Sequence, residues 1–221
     1  LESFCPLHID LNNQECLVIG GGKVAGRKVN TLLAYRAAVT VLSPDLSQEL
    51  ASLLEAGKIN YQADIYRPVY LEHKFLVVCA TADEVINRRA AEECISRGIP
   101  VNTVSDPEKC TFFLPAQLKK GPLTVTVSTA GKSPALARRL RDRIGESLDP
   151  CYEDLARFLG KARKLALKRI KERSNRRALL EYLAGEDFFA EFKKLPGSEL
   201  DLKLEQLLKD YSYEDDKEKS E

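Results

Sequence analysis

The sequence predicts an α/β fold: a doubly wound parallel sheet, then a small central region, then an all-helical C-terminal part. Three observations predict it. Short apolar runs alternate with stretches of helical spacing from Cys16 to Val104; one of these runs passes through three glycines directly into a helical pattern; and from Asp149 onward only helical periodicity remains. Strands that alternate with helices are joined by crossovers, and crossovers make neighbouring strands parallel.

The first unit is Cys16-Leu-Val-Ile-Gly-Gly-Gly-Lys-Val-Ala25. Leu17, Val18 and Ile19 suit a strand buried on both faces. Gly20 allows a tight turn, and Gly22 leaves room for a pyrophosphate to approach the backbone. Ala25, small like the third glycine of a dinucleotide fingerprint, lets the next helix lie close on the strand. That helix continues through Val24, Val29, Leu32 and Leu33, and its start points unpaired N–H groups and a positive dipole end at phosphates. The spacing is that of a Rossmann-type site, with Gly20, Gly22, Lys23 and Val24 around the pyrophosphate. A glycine-rich turn between any strand and helix shares the pattern. The strand Ala38-Val-Thr-Val-Leu42, arriving at βαβ distance, favours nucleotide binding.

The alternation continues with a helix over Leu46–Ala56, a strand over Ile59–Ala63, a strongly apolar strand over Phe75–Ala80, a helix over Glu84–Arg97 with Gly98 at its C-cap, and a strand over Ile99–Val104. In such sheets ligands gather at the carboxyl ends of the strands. That rule puts Gly20–Val24, Ser43–Asp45, Thr81–Asp83 and Ser105–Asp106 in one neighbourhood. Ser43, Pro44 and Asp45 fall where an adenosine ribose is expected, with Asp45 the nearest carboxylate. No arginine stands beside it to receive a 2′-phosphate, which favours NAD over NADP. Thr81, Ala82 and Asp83 line the cofactor, although Asp83 equally suits an N-cap.

After Asp106 the pattern changes. Phe112–Ala116 and Leu123–Thr129 read as strands joined by the turn Lys119-Lys-Gly-Pro122, and Ser133-Pro134 supplies an N-cap and first residue for a helix over Ala135–Ile144. Two short strands with little core of their own need a further partner. A second copy of the chain is the simplest, so a homodimer is expected. The expected domains are therefore 1–111, 112–148 and 149–221.

In the helical part, Leu155, Phe158, Leu159, Ala162, Leu165, Ala166 and Ile170 mark a buried face. The opposite face is basic, with Arg157, Lys161, Arg163, Lys164, Lys168, Arg169, Lys171, Arg173, Arg176 and Arg177. Residues 181–221 are acidic and end in a tail, Tyr213–Glu221, expected to fray. With 34 basic and 33 acidic side chains the two biases nearly cancel, so the net charge of +1 hides a local basic surface. That surface has three readings: a solvated face laced with ion pairs, attraction of a multiply anionic small molecule, or nucleic-acid binding. The last is disfavoured, because no nucleic-acid motif accompanies the charge.

No apolar run reaches membrane-spanning length, and the first residues lack the basic and apolar regions of a signal segment, so a cytoplasmic protein without a membrane partner is expected. The six cysteines are scattered with no CxxC pair and read as free thiols. His8 and His73 are the only histidines, His8 reading as a packing residue, so no resident metal site is expected.

Pro6-Leu-His-Ile-Asp-Leu11, the GGGKVA loop with Arg27-Lys28, Val39-Thr-Val-Leu-Ser-Pro44, Ala80-Thr-Ala-Asp83 with Asn87, Val101–Pro107, Phe112-Phe-Leu-Pro-Ala116 and Ser128–Arg138 occur in that order. Together they resemble the precorrin-2 dehydrogenase/sirohydrochlorin ferrochelatase family, which also forms the N-terminal half of siroheme synthase. The helical C-terminal part matches it only in length and character. The resemblance implies an NAD-dependent enzyme with a Rossmann domain, a central region through which two subunits interlock, and a helical domain. It further implies oxidation of precorrin-2 to sirohydrochlorin and, in some members, insertion of iron(II) as a substrate to give siroheme. Ser128, Thr129, Lys132, Ser133 and Arg138 would then border the tetrapyrrole, with Ser133 also suited to capping.

One departure concerns the catalytic position. Family members read Asn-Val-Val-Asp after the fifth strand, and that aspartate serves both reactions. Here the aligned residues are Asn102-Thr-Val-Ser105, with Asp106 one place later. Ser105 is no base, and Asp106 is either the working carboxylate or a turn residue before Pro107. Ser105 weighs against chelation more than against dehydrogenation. A non-catalytic NAD-sensing module is the alternative open to the same fold, although the FFLPA and GKSPALAR segments favour the enzyme.

Overall fold

The computed structural model describes the backbone of residues 4–217 and side chains through Ser212. The first elements are β1 (Glu15–Ile19), α1 (Lys23–Leu33), β2 (Ala38–Leu42), α2 (Gln48–Glu55), β3 (Asn60–Gln62), β4 (Leu76–Cys79), α3 (Glu84–Ser96) and β5 (Val101–Thr103). Their five strands form one parallel sheet in the order β3-β2-β1-β4-β5. The chain winds one way from β1 to β3 and then returns to the other side of β1. The switch point therefore lies between β1 and β4, where a crevice opens at the carboxyl edge.

Alternation along β1 explains its unbroken apolar run. Cys16 and Val18 join Ala25, Val29, Leu32, Val39, Val41 and Leu50 in one core, beneath α1 and α2. Leu17 and Ile19 join Val77, Cys79, Ala90, Ala91, Cys94 and Val101 in another, beneath α3. Both faces of β1 are covered, which is why Cys16–Ile19 carry no polar side chain on either. The helix over α3 ends where expected, Gly98 taking a left-handed φ of +69° just past its last turn.

The remaining elements are β6 (Ala116–Lys120), β7 (Leu123–Val127), α4 (Pro134–Ser147), α5 (Cys151–Arg169), α6 (Arg173–Leu183), α7 (Glu186–Phe192) and α8 (Gly197–Lys217). The expected strand at Phe112–Ala116 is displaced. The hairpin pairs Ala116 with Val127 and Lys120 with Leu123, so Lys119 and Lys120 lie within β6 and only Gly121-Pro122 turn. Pro115 has no N–H to give a ladder, which keeps the strand from starting earlier. Gly121, at φ +53°, meets the positive φ that a two-residue hairpin turn demands. The segment before the hairpin instead returns along β5, Thr111 N donating to Val101 O at 2.8 Å.

The chain forms two compact units. The first runs to Leu114 and includes Ala130–Lys132; the second comprises Pro115–Thr129 and continues from Ser133, so the hairpin and α4 fall with α5–α8. The second unit has its own core of Leu155, Ala162, Ala166, Ile170, Leu179, Leu183, Phe188, Leu204 and Leu208. Much of its basic surface is ion-paired: Lys161 with Asp201 at 2.6 Å, Arg169 with Glu205 at 2.5 Å, Arg177 with Glu181 at 2.7 Å, and Arg157 with Glu153. Arg176 donates to the carbonyls of Ile170 and Lys171 where α5 ends. For these residues the solvated, ion-paired reading holds. The expected fraying of Tyr213–Glu221 falls on residues whose side chains lie outside the described ones. Among the described residues no helix is long and apolar enough to cross a membrane.

Candidate dinucleotide site

The β1–α1 turn is shaped by its three glycines. Gly20 has φ +124°, and a Cβ there would lie 2.5 Å from the Ala80 carbonyl oxygen at the end of β4. A Cβ on Gly21 would lie 1.8 Å from the Asp45 carbonyl oxygen and 2.8 Å from Ser43 Oγ, and Gly21 O accepts from Ser47 N at 2.8 Å. At Gly22 a Cβ would meet nothing within 4 Å. Gly22 is extended at the N-cap of α1, which begins without a side-chain cap and without an acidic residue in its first turn. The first intrahelical bond runs from Gly26 N to Gly22 O, so the N–H groups of Lys23, Val24 and Ala25 are left to an outside acceptor. An open, uncapped, acid-free helix start fits a dinucleotide pyrophosphate. The sequence reading passed over Gly21, although its contacts are the tightest of the three.

The β2–α2 loop is held from the sheet edge. Ser43 N donates to Gln62 O at 3.2 Å and Tyr61 OH donates to Pro44 O at 2.9 Å, while Asp45 stays exposed. On the other side of β1, Asn87 is fully buried and ties the β4–α3 loop: its Oδ1 accepts from Thr81 N at 3.1 Å and its Nδ2 donates to Thr81 O at 3.0 Å. Asp83 Oδ1 accepts from Val85 N and Ile86 N at 2.8 and 3.1 Å, so of its two readings the N-cap is realised. Val24, Val85 and Val104 are exposed at this carboxyl edge, an apolar set of which the sequence analysis assigns only Val24 to the cofactor.

At the tip of β5, Thr103 Oγ1 and Ser105 Oγ share a hydrogen bond of 3.2 Å. Asp106 Oδ1 accepts from Glu108 N at 3.1 Å and caps a short 3₁₀ turn over Pro107–Lys109. Turn residue is therefore an observed role for Asp106, and one carboxylate oxygen, Oδ2, is left over. His8 is exposed beside exposed Leu7 and Ile9, contrary to the packing role expected for it, because the segment carrying it runs over the surface.

In the second unit Ser133 Oγ caps α4 by accepting from Leu136 N at 3.2 Å, and Thr129 Oγ1 accepts from Ser133 N at 2.9 Å. Ser128 is exposed there, as is Lys132, which belongs to the first unit. Arg138 lines a shallow concavity on α4 with Arg139, Asp142, Arg143 and Glu146. No group of three or more histidine, cysteine or acidic side chains is placed to hold a metal among the described residues.

Residues 7–116 match the family model of NAD(P)-binding domains, and residues 120–147 match that of the central domain of siroheme biosynthesis proteins. The siroheme synthase of Methylobacillus flagellatus is 40% identical over 176 residues, 80% of this chain and 38% of that protein. That of Thioalkalivibrio sulfidiphilus is 41% identical over 180 residues, 81% of this chain and 37% of the relative. The chain thus spans less than two fifths of the length of these curated relatives. Among solved structures, SirC, a precorrin-2 dehydrogenase, superposes with a TM-score of 0.76 at 26% identity, covering 93% of this chain and 100% of that one.

Proposed function

Because the chain belongs to the precorrin-2 dehydrogenase/sirohydrochlorin ferrochelatase family, we propose that it oxidises precorrin-2 to sirohydrochlorin with NAD. The observation that carries this reading is the open helix start at Gly22, set at the switch point between β1 and β4, at the same sheet edge as the tip of β5. Gly22, Lys23 and Val24 hold the pyrophosphate through backbone N–H groups, and Asp45 accepts from the ribose hydroxyls. No arginine adjoins Asp45 in sequence, which supports NAD over NADP. Thr81 and Ala82 line the cofactor, and the valines at the carboxyl edge offer its ring an apolar seat. When bound, NAD would supply the hydride acceptor for this oxidation.

The accompanying proton needs a base, and Asp106 Oδ2 is the carboxylate oxygen left over at the tip of β5. Arg138, with Arg139 and Arg143, supplies positive charge for the acetate and propionate groups of the substrate, and Ser128 and Lys132 add exposed polar groups. Thr129 and Ser133 act first through the α4 start that they brace. Ser105, where the family has its aspartate, cannot take up the pyrrole protons that iron(II) insertion expels, so dehydrogenation is the primary activity.

The test is NADH absorbance on mixing the protein with precorrin-2 and NAD; a purely NAD-sensing module gives none. Asp106→Asn keeps the Oδ1 acceptor of the turn and removes the base. It should lower kcat by about 10²–10⁴ with NAD affinity little changed. Full activity in that variant takes Asp106 out of the mechanism. Ser105→Asp should add or raise iron(II) or cobalt(II) insertion into sirohydrochlorin, and no gain would remove this position from chelation in this chain.

A further inference from the structure

Lys28 lies in the second turn of α1, on the helix whose start forms the pyrophosphate site. Its Nζ reaches across β4 and donates to Asn102 Oδ1 on β5 at 3.0 Å, joining residues 74 positions apart. Asn102 is only 4% exposed and uses both ends of its amide: Nδ2 donates to Phe112 O at 3.1 Å and to Cys110 Sγ at 3.5 Å. Cys110 Sγ in turn accepts from Thr103 N and donates to Thr103 O, both at 3.3 Å, with Asp106 O a longer neighbour at 3.7 Å. A continuous polar chain therefore runs from α1 through β5 into the segment 103–110 that carries Ser105 and Asp106.

Burial opposes this arrangement. Desolvation lowers the Lys28 pKa and raises that of the Cys110 thiol, so neither group gains from the site as a charge. An apolar side chain at the half-buried position 28 would cover the sheet without desolvating an ammonium, so stability alone does not account for a lysine there. We propose that Lys28, acting through Asn102 and Cys110, is a positioning residue that sets the Ser105–Asp106 tip of β5 relative to the pyrophosphate loop on α1. The proposal rests on reading that tip as the reacting end of the site. A misplacement of about 1 Å at a reacting group costs on the order of 10²-fold in rate, so a fixed link between the two loops has a use that packing alone does not supply.

Three measurements test it on Lys28→Met, Lys28→Arg, Cys110→Val and Cys110→Ser: NADH affinity from cofactor fluorescence, kcat and KM for precorrin-2, and hydrogen exchange of segment 103–110 in the cofactor-free protein. Lys28→Met should exchange that segment about tenfold faster while β1 is unchanged. It should lower kcat by about 10–100-fold with KM and NADH affinity within about threefold. Lys28→Arg, which still donates to Asn102, should recover most of both effects, and Cys110→Ser should stay closer to the parent than Cys110→Val. Unchanged exchange and kcat in Lys28→Met overturns the proposal, as does an arginine variant no better than methionine, which would make Lys28 a proton carrier instead. If Lys28→Met does not fold, the arginine variant and the Cys110 pair carry the same comparison. Loss of activity in Asp106→Asn with full activity in Lys28→Met sinks this inference alone; full activity in Asp106→Asn sinks the assignment of the tip itself.

Discussion

Three adjacent glycines at the β1–α1 turn answer three different demands. Gly20 is needed for its backbone angle and its closeness to Ala80, Gly21 for its closeness to Asp45, and Gly22 for the empty space over α1. The first two serve the fold, and the third leaves the space that the proposed cofactor needs. Gly22→Asp should therefore leave the melting temperature near that of the parent and weaken NAD binding by more than about 100-fold, since a carboxylate at the phosphate site adds like-charge repulsion of several kcal/mol. Equal cofactor affinity in a calorimetric titration would refute the loop assignment. Gly21→Ala should do the reverse at first, because a methyl 1.8 Å from a backbone oxygen forces the β2–α2 loop away. Its melting temperature should fall by several degrees before any binding is measured. From the sequence these roles were half legible: the fingerprint spacing named Gly20 and Gly22, but nothing local tells which glycine faces protein and which faces solvent.

Among the described elements, α4 leaves a run of apolar residues at helical spacing uncovered. Ala137 is buried, whereas Leu136, Leu140 and Ile144, spaced by one helical turn, are 45%, 39% and 37% exposed. A stripe at that spacing with no covering element is suited to a second copy of the chain, in line with the expectation drawn from the β6–β7 hairpin. Light scattering at micromolar concentration should give the mass of a dimer, and Leu140→Glu should convert it to monomer with little change in helix content. A monomeric parent would end the idea. The first hairpin strand starts later than the sequence suggests, because two lysines followed by glycine and proline look like a turn, whereas Pro115 delays the strand and both lysines fall within it. The basic face of α5 was ambiguous for a different reason: Asp201 and Glu205, its partners, lie far along the chain on α8.

For the whole molecule, the cysteines make a pH-dependent prediction. Burial pushes the Cys16 thiol up to about 11 and that of Cys94 up to about 12, and raises Cys79 and Cys110 as well. In the unfolded chain such thiols ionise near pH 8.5. A group whose folded pKa is raised contributes stability that is complete below the unfolded value and lost as pH climbs towards the folded one. Lys28, lowered by burial, works in the opposite direction, but it is one group against several. The urea midpoint should thus fall steadily between pH 8.5 and about 11, and Cys94→Ala should flatten that fall. A midpoint that does not move over this range would contradict the buried-thiol account. At pH 8 a thiol reagent should modify exposed Cys5 promptly and reach Cys16, Cys79, Cys94 and Cys110 only after unfolding.

The sequence by itself determined the elements and their class. Apolar runs, helical spacing and glycine placement are local properties, and they sufficed for the parallel sheet and for the glycine turn between β1 and α1. Only the tertiary structure decided which groups meet across the sheet: Gly21 against Asp45, Asn87 beneath Thr81, and Lys28 upon Asn102. Those pairings depend on strand order, and strand order is fixed by burying both faces of β1 at once, a balance of the whole core that no single segment records.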